Sequence, residues 1–240
     1  MIDLDGMEGV RPEEDKTGIR ITNQLQQNTH VNNLVALAKE NSVFQKVMRP
    51  FMTKQSNIWI HLGQLKDNAG NPTGPFNMAR TESPGASNNP VGQYGQNRIV
   101  INSDILNSSG DIAIDKTLAF MALLHEGIHA KMYDTFKKDP TFSNYPGYKD
   151  FLFRPEDGSH HNQMEAFNRD VLIEGMKEFD EQIGATHTED WYEAMSWYGL
   201  QETKAWSDFV SNNPERAQQI NDLLRNEAKN IRNNTNNENN

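Results

Sequence analysis

Apolar residues recur at helical spacing from His30 onward, at Val31, Leu34, Val35, Leu37 and Ala38, and again at Phe44, Val47, Met48 and Phe51 around a break at Pro50. This periodicity predicts one or two short helices. Ile58, Ile60 and Leu62 then alternate with Trp59, His61 and Gly63, the period-two pattern of a strand. Residues 68 to 96 carry Gly74-Pro75, Ser83-Pro84-Gly85 and Asn89-Pro90 but no period. They read as a large surface loop, a length that compact domains keep for function or disorder. Arg98 to Ile105, rich in β-branched residues, predicts a second strand ending at the turn Asn107-Ser108-Ser109-Gly110.

The remainder reads helical. Asp115 or Thr117 can cap a helix whose Leu118, Met121, His125, Ile128, His129 and Met132 share one stripe, so both histidines face inward. After a Pro/Gly/aromatic stretch from Asp139 to Gly158, a further helix opens near His161 with Met164, Phe167, Val171, Leu172, Gly175 and Phe179. Thr186 and Glu189 make a capping box for a helix holding Trp191, Ala194, Met195 and Leu200. Asn213-Pro214 starts another, with Ala217, Ile220, Leu223, Leu224 and Ile231 on one face. The architecture expected is α+β: a mostly helical body with a small antiparallel sheet, built from the strands near 58 to 63 and 98 to 105, beside the histidine-bearing helix. One domain is expected over 29 to 225, after a linker without a core at 1 to 28 and before a solvated Asn-rich tail at 226 to 240.

Composition narrows the chemistry. The 240 residues suffice to bury a core, and with 35% hydrophobic and 23% charged residues the chain is polar without reading as disordered. A net charge of -10, with no basic run longer than Lys137-Lys138, argues against a nucleic-acid surface and against an acidic membrane as partner. Cysteine is absent, which excludes disulfides, thiolate metal sites and cysteine nucleophiles and leaves His and carboxylates as metal ligands. The first residues lack the basic start and apolar run of a secretory signal, and no stretch approaches transmembrane length.

Against that background stands Leu124-His125-Glu126-Gly127-Ile128-His129-Ala130. Histidines four apart on a helix point the same way, so both imidazoles can reach one zinc ion at about 2.0 to 2.1 Å. Glu126 is angled toward the open coordination position, where it can take a proton from an attacking water. The flanking Ala122, Leu123, Leu124, Ile128 and Ala130 are uncharged, as a buried helix requires. Gly127 costs about 1 kcal/mol relative to alanine inside a helix, which close approach of another element or of substrate would explain. The competing reading makes His125 and His129 plain core residues and Glu126 a solvated neighbour.

A catalytic zinc usually takes three protein ligands. Ser159-His160-His161-Asn162-Gln163-Met164-Glu165 is the best supply. His161 is favoured; Glu165, four residues on, is the alternative ligand or a carboxylate that orients a ligand imidazole. His160 would point about 100° away and suits solvent or substrate. The competing reading of this segment is a polar helix start facing water. His187 and the tyrosines Tyr133, Tyr192 and Tyr198 are candidates to stabilise an oxyanion, although each such tyrosine is more often a packed aromatic.

Two blocks go beyond spacing. Asp104 and Leu118 through Ala130 followed by His160-His161-Asn162-Gln163-Met164, and then Trp191-Tyr192-Glu193-Ala194-Met195-Ser196-Trp197-Tyr198-Gly199-Leu200-Gln201, resemble metallopeptidase domains at the C-termini of bacterial polymorphic toxins. The arrangement, over residues 98 to 206, is also similar to SprT-like and other zincin peptidases. Ile2-Asp3-Leu4-Asp5-Gly6 resembles the end of the core region of Rhs (YD-repeat) proteins. Glu165, where related blocks tend to have alanine, and Lys131 depart from the pattern. The resemblance implies a zincin-like fold, zinc held by His125, His129 and His161, Glu126 as base, and a peptide lying extended along a sheet-edge strand. It further implies a protein or peptide substrate, an immunity protein as partner, and delivery as the tip of a larger bacterial protein. Other expectations compatible with the motif are a zinc hydrolase of another amide, such as cell-wall peptide, and a non-catalytic binding module with a structural metal.

Overall fold

A computed structural model describes residues 17–82, 97–138 and 159–236, with side chains described over 17–82, 97–135 and 168–235. The chain runs through β1 (Ile19–Ile21), α1 (Asn23–Gln27), α2 (Thr29–Glu40), α3 (Ser42–Val47), α4 (Arg49–Met52), β2 (Ile58–Gly63), β3 (Ala79–Glu82) and β4 (Asn97–Asn102). A 3-10 turn (Ser103–Ile105) follows, then α5 (Lys116–Lys138), α6 (Ser159–Ile183), α7 (Glu189–Ser196), α8 (Lys204–Asn212) and α9 (Pro214–Asn236). The architecture is α+β, mostly helical, with one small sheet.

That sheet is mixed and not antiparallel as expected. Its order is β1-β2-β4-β3, with β1, β2 and β4 mutually parallel and β3 antiparallel to β4. Parallel neighbours need a long crossover, and residues 64 to 96 between β2 and β4 supply one. β3 lies inside that crossover, within the segment read as loop, and forms the sheet edge next to α5. The second predicted strand is shorter than expected: after Asn102 the chain turns, because the Asn102 side chain accepts the Asp104 N–H at 3.1 Å.

The ends of the domain also differ. Ile19 and Leu25 are fully buried, so the supposed linker contributes a strand and a helix to the core from residue 17 onward. At the other end α9 continues to Asn236, with Ile231 buried and the Arg232 guanidinium 5.8 Å from the ring of Phe76. Residues 226 to 236 are therefore helix, not solvated tail. Pro50 sits in the first turn of α4 and begins a helix instead of breaking one. The α7 cap is Thr188, whose hydroxyl accepts the Trp191 N–H, and not Thr186. An additional helix, α8, is capped by Thr203 and packs Trp206 edge-on to Trp197 at 4.9 Å.

α5 is the hub. Asp115 caps it, as expected, by accepting the Thr117 and Leu118 N–H groups at 2.8 and 3.0 Å. Its apolar residues Leu118, Phe120, Leu123, Leu124 and Ile128 are buried between the inner sheet face (Ile58, Ile60, Ile99, Ile101) and the helices α2, α3 and α6. Phe120 stacks on Phe179 at 4.3 Å. α6 runs antiparallel to α5, with the Thr117 hydroxyl bonded to Asp180 and Gly175 against Leu124. A β-carbon at Gly175 would lie 2.5 Å from Leu124 Cδ2 and 3.4 Å from Val43 Cγ1, so glycine sets how closely the two helices approach.

Gly175→Ala is expected to destabilise the fold by about 1 to 3 kcal/mol through overpacking, read as a lower denaturation midpoint with an unchanged slope. Glu178 generates a second expectation. Its carboxylate accepts Ser42 N at 2.6 Å, the Ser42 hydroxyl at 2.8 Å and Val43 N at 3.3 Å, joining α6 to the start of α3. Burial raises its pKa, but these bonds and the charge of Lys46 outweigh it and hold the group below its ordinary 4.5. A depressed folded-state pKa contributes stability that is present above the unfolded value and lost as pH falls through the folded one. The stability gap between wild type and Glu178→Gln should therefore be flat from neutrality to pH 4.5 and shrink below it. A gap that persists well below that pH would show that the contact does not depend on charge.

Candidate metal centre

The stripe that carries α5 into the core carries His125 and His129 with it, each only 8% exposed. Their ring centroids lie 5.0 Å apart. With Glu126 they form a group whose ligand-capable atoms all fall within 4.8 Å of one another. The plain-core reading of the histidines is weakened by this arrangement, because Glu126 is not a solvated neighbour. It keeps some surface as a residue, but burial of its carboxyl is the largest influence on its pKa and raises it from 4.5 to about 7. Hydrogen bonds from Thr81 and the charge of Arg80 act in the opposite direction without cancelling the rise. A carboxyl near 7 accepts and returns a proton at neutral pH more readily than an ordinary glutamate.

Thr81, on β3, makes the contacts that fix this residue. Its backbone N–H donates to Glu126 Oε2 at 2.5 Å, and its hydroxyl donates to the Glu126 carbonyl at 2.7 Å. Gly127 has its explanation in close approach by another element: a β-carbon there would lie 2.9 Å from Met48 Sδ, at the junction of α3 and α4. Beyond the histidines, Tyr133 lies 6.4 Å from His129, centroid to centroid, with its hydroxyl pushed up to about 12 by burial and by the Glu126 charge.

A cavity of about 220 Å³ opens beside the cluster. Phe76, Asn77, Met78 and Ala79, which lead into β3, form one wall, Met121, Ala122, His125 and Glu126 the other, and Tyr198 and Gly199 close it. Tyr198 donates to the Phe76 carbonyl at 3.2 Å, and burial, with the charge of Glu227, pushes its pKa up to about 12. Of the residues singled out from sequence, His125, Glu126, His129 and Tyr198 are thus together. His187 is elsewhere. It bonds Asp180 at 2.7 Å, lies 3.5 Å from Asp115 and stacks on Trp191 at 3.8 Å, at the N-terminal end of α5. Thr117, opposite Asp180, precedes His125 by about 12 Å of helix, so His187 takes no part in the cluster. Tyr192 belongs to the same network, donating to Asp180 at 2.5 Å. His160, His161 and Glu165 fall in the first turns of α6, and their side chains lie outside the described residues.

Phe76, Met78 and Thr81 were not anticipated, because they sit in a segment with no period. The only signal was the alternation Ala79-Arg80-Thr81-Glu82, too short to separate from loop. Two imidazoles and a carboxylate in a chain without cysteine are donors suited to a divalent transition metal, and the cluster could hold one. Comparison with protein-family models, with curated proteins and with solved structures finds no match to this chain. Among the described residues no helix is long and apolar enough to cross a membrane.

His129→Ala should reduce bound divalent metal from stoichiometric to background by elemental analysis. His187→Ala should keep the metal but lower the unfolding free energy by about 1 to 3 kcal/mol, since buried Asp180 loses a hydrogen-bond partner.

Proposed function

We propose that this protein is a zinc-dependent peptidase, acting as the effector tip of a polymorphic toxin. The observation that carries the hydrolase reading is the cluster of buried His125 and His129 with Glu126, their ligand-capable atoms within 4.8 Å of one another, with His125 and Glu126 lining a cavity. The effector reading rests on the resemblance of residues 98 to 206 to toxin metallopeptidase domains and of Ile2 to Gly6 to the end of an Rhs core. An immunity protein in the producing cell is the partner that such an effector requires.

His125 and His129 would hold the ion, and His161 is our choice of third ligand, with Glu165 the alternative. That choice rests on the resemblance of His160-His161-Asn162-Gln163-Met164 to the toxin metallopeptidase block. Bound zinc supplies Lewis acidity, polarising a carbonyl and acidifying water. Glu126 takes a proton from the water as its oxygen attacks the scissile carbonyl carbon. As the C–N bond breaks, the same carboxyl passes that proton to the departing amine nitrogen.

Glu126→Gln is expected to keep its zinc and to lose about 10² to 10⁴-fold in cleavage of an unfolded protein substrate. Retained cleavage would sink the mechanism. In parallel, His161→Ala should lose zinc, and full occupancy in that variant would pass the ligand role to Glu165.

A further inference from the structure

We propose that Thr81 is a positioning residue for Glu126, an inference that rests on the peptidase reading and extends it to a residue outside the motif. Among the described residues β3 ends the sheet and pairs with β4 on one side only, with no strand on its other edge. There Thr81 meets Glu126 twice, at the carboxyl oxygen Oε2 through its N–H and at the main-chain carbonyl through its hydroxyl. Among the described residues it supplies both hydrogen bonds that reach Glu126 from outside α5. One bond holds the backbone end of the residue and the other its carboxyl end, so the torsions between them are set by the strand. A glutamate without such anchors samples several staggered rotamers. Glu126 also lines the adjoining cavity.

The strand that carries Thr81 is itself pinned. Side chains alternate across a strand, and the neighbouring Glu82 is buried on the opposite face, where Arg98 donates to it from Nε at 2.9 Å. A slip of β3 by one residue would break that ion pair and turn Thr81 away from α5. The geometry therefore runs from Arg98 through Glu82 to the register of β3, and from Thr81 to the carboxyl.

Three substitutions test this. Thr81→Pro removes the N–H that points off the β3–β4 ladder, a position where an edge strand tolerates proline. Thr81→Val removes only the hydroxyl, and Thr81→Ser keeps both donors. With zinc-loaded protein and an unfolded protein substrate, Thr81→Pro should lower kcat by about 10-fold with KM little changed, Thr81→Val less, while Thr81→Ser stays near wild type. Zinc content should be equal in all four proteins. Wild-type kcat in both the Pro and Val variants would overturn the proposal, as would parallel loss of zinc and of folding in every variant, Ser included. Should Thr81→Pro fail to fold, the amide proton of Thr81 provides a direct reading by NMR. It should resonate downfield in wild type and move upfield in Glu126→Ala, and a resonance that does not move overturns the proposal. Absent cleavage by wild type with that shift intact would remove the peptidase reading while upholding the Thr81 contact.

Discussion

Carrying two imidazoles and a carboxyl on the most buried helix of the domain is the constraint around which this fold is arranged. Polar groups taken out of water cost several kcal/mol unless they find partners, and α5 brings His125, Glu126, His129 and Asp134 inward with its leucines. Partners are therefore spaced along it. Asp115 and the Asp180 network secure its start, Thr81 its middle, and Asn97, donating to the Ala130 carbonyl at 3.2 Å, the stretch after His129. Ser56 bonds Asp134 one turn further on. The sheet and the surrounding helices thus supply hydrogen bonds as well as apolar contact.

What was legible in the sequence was whatever repeats over a long enough window. The α5 stripe, the alternation of β2 and the helices α2, α6 and α9 each extend over enough residues for a period to emerge, and their types agree with expectation. β1 with three residues, α1 with five and β3 with four fall below that length. Strand direction was misjudged for a different reason. Pairing is non-local: Ile99-Val100-Ile101, an unbroken apolar run buried in the structure, marks a strand covered on both faces, and β4 pairs parallel with β2 on one side and antiparallel with β3 on the other.

The candidate site divides in the same way. His125, Glu126 and His129 are local in sequence, and helical geometry alone brings them together. Thr81 reaches Glu126 across 45 residues, through a strand that no period announced. His187 shows the converse, since a histidine near a capping segment gives no hint that Asp180 and Asp115 already hold it.

The contact at the edge of β3 has a further consequence, for the behaviour of the molecule among its own copies. An outer strand with unpaired N–H groups is a template on which another chain can add. Here the Thr81 N–H is already given to a side chain, and the residues on either side of it, Arg80 and Glu82, carry charge. The bond that meets the Glu126 carboxyl also occupies one edge donor of the sheet, so resistance to strand addition and the order of the candidate site draw on the same few atoms.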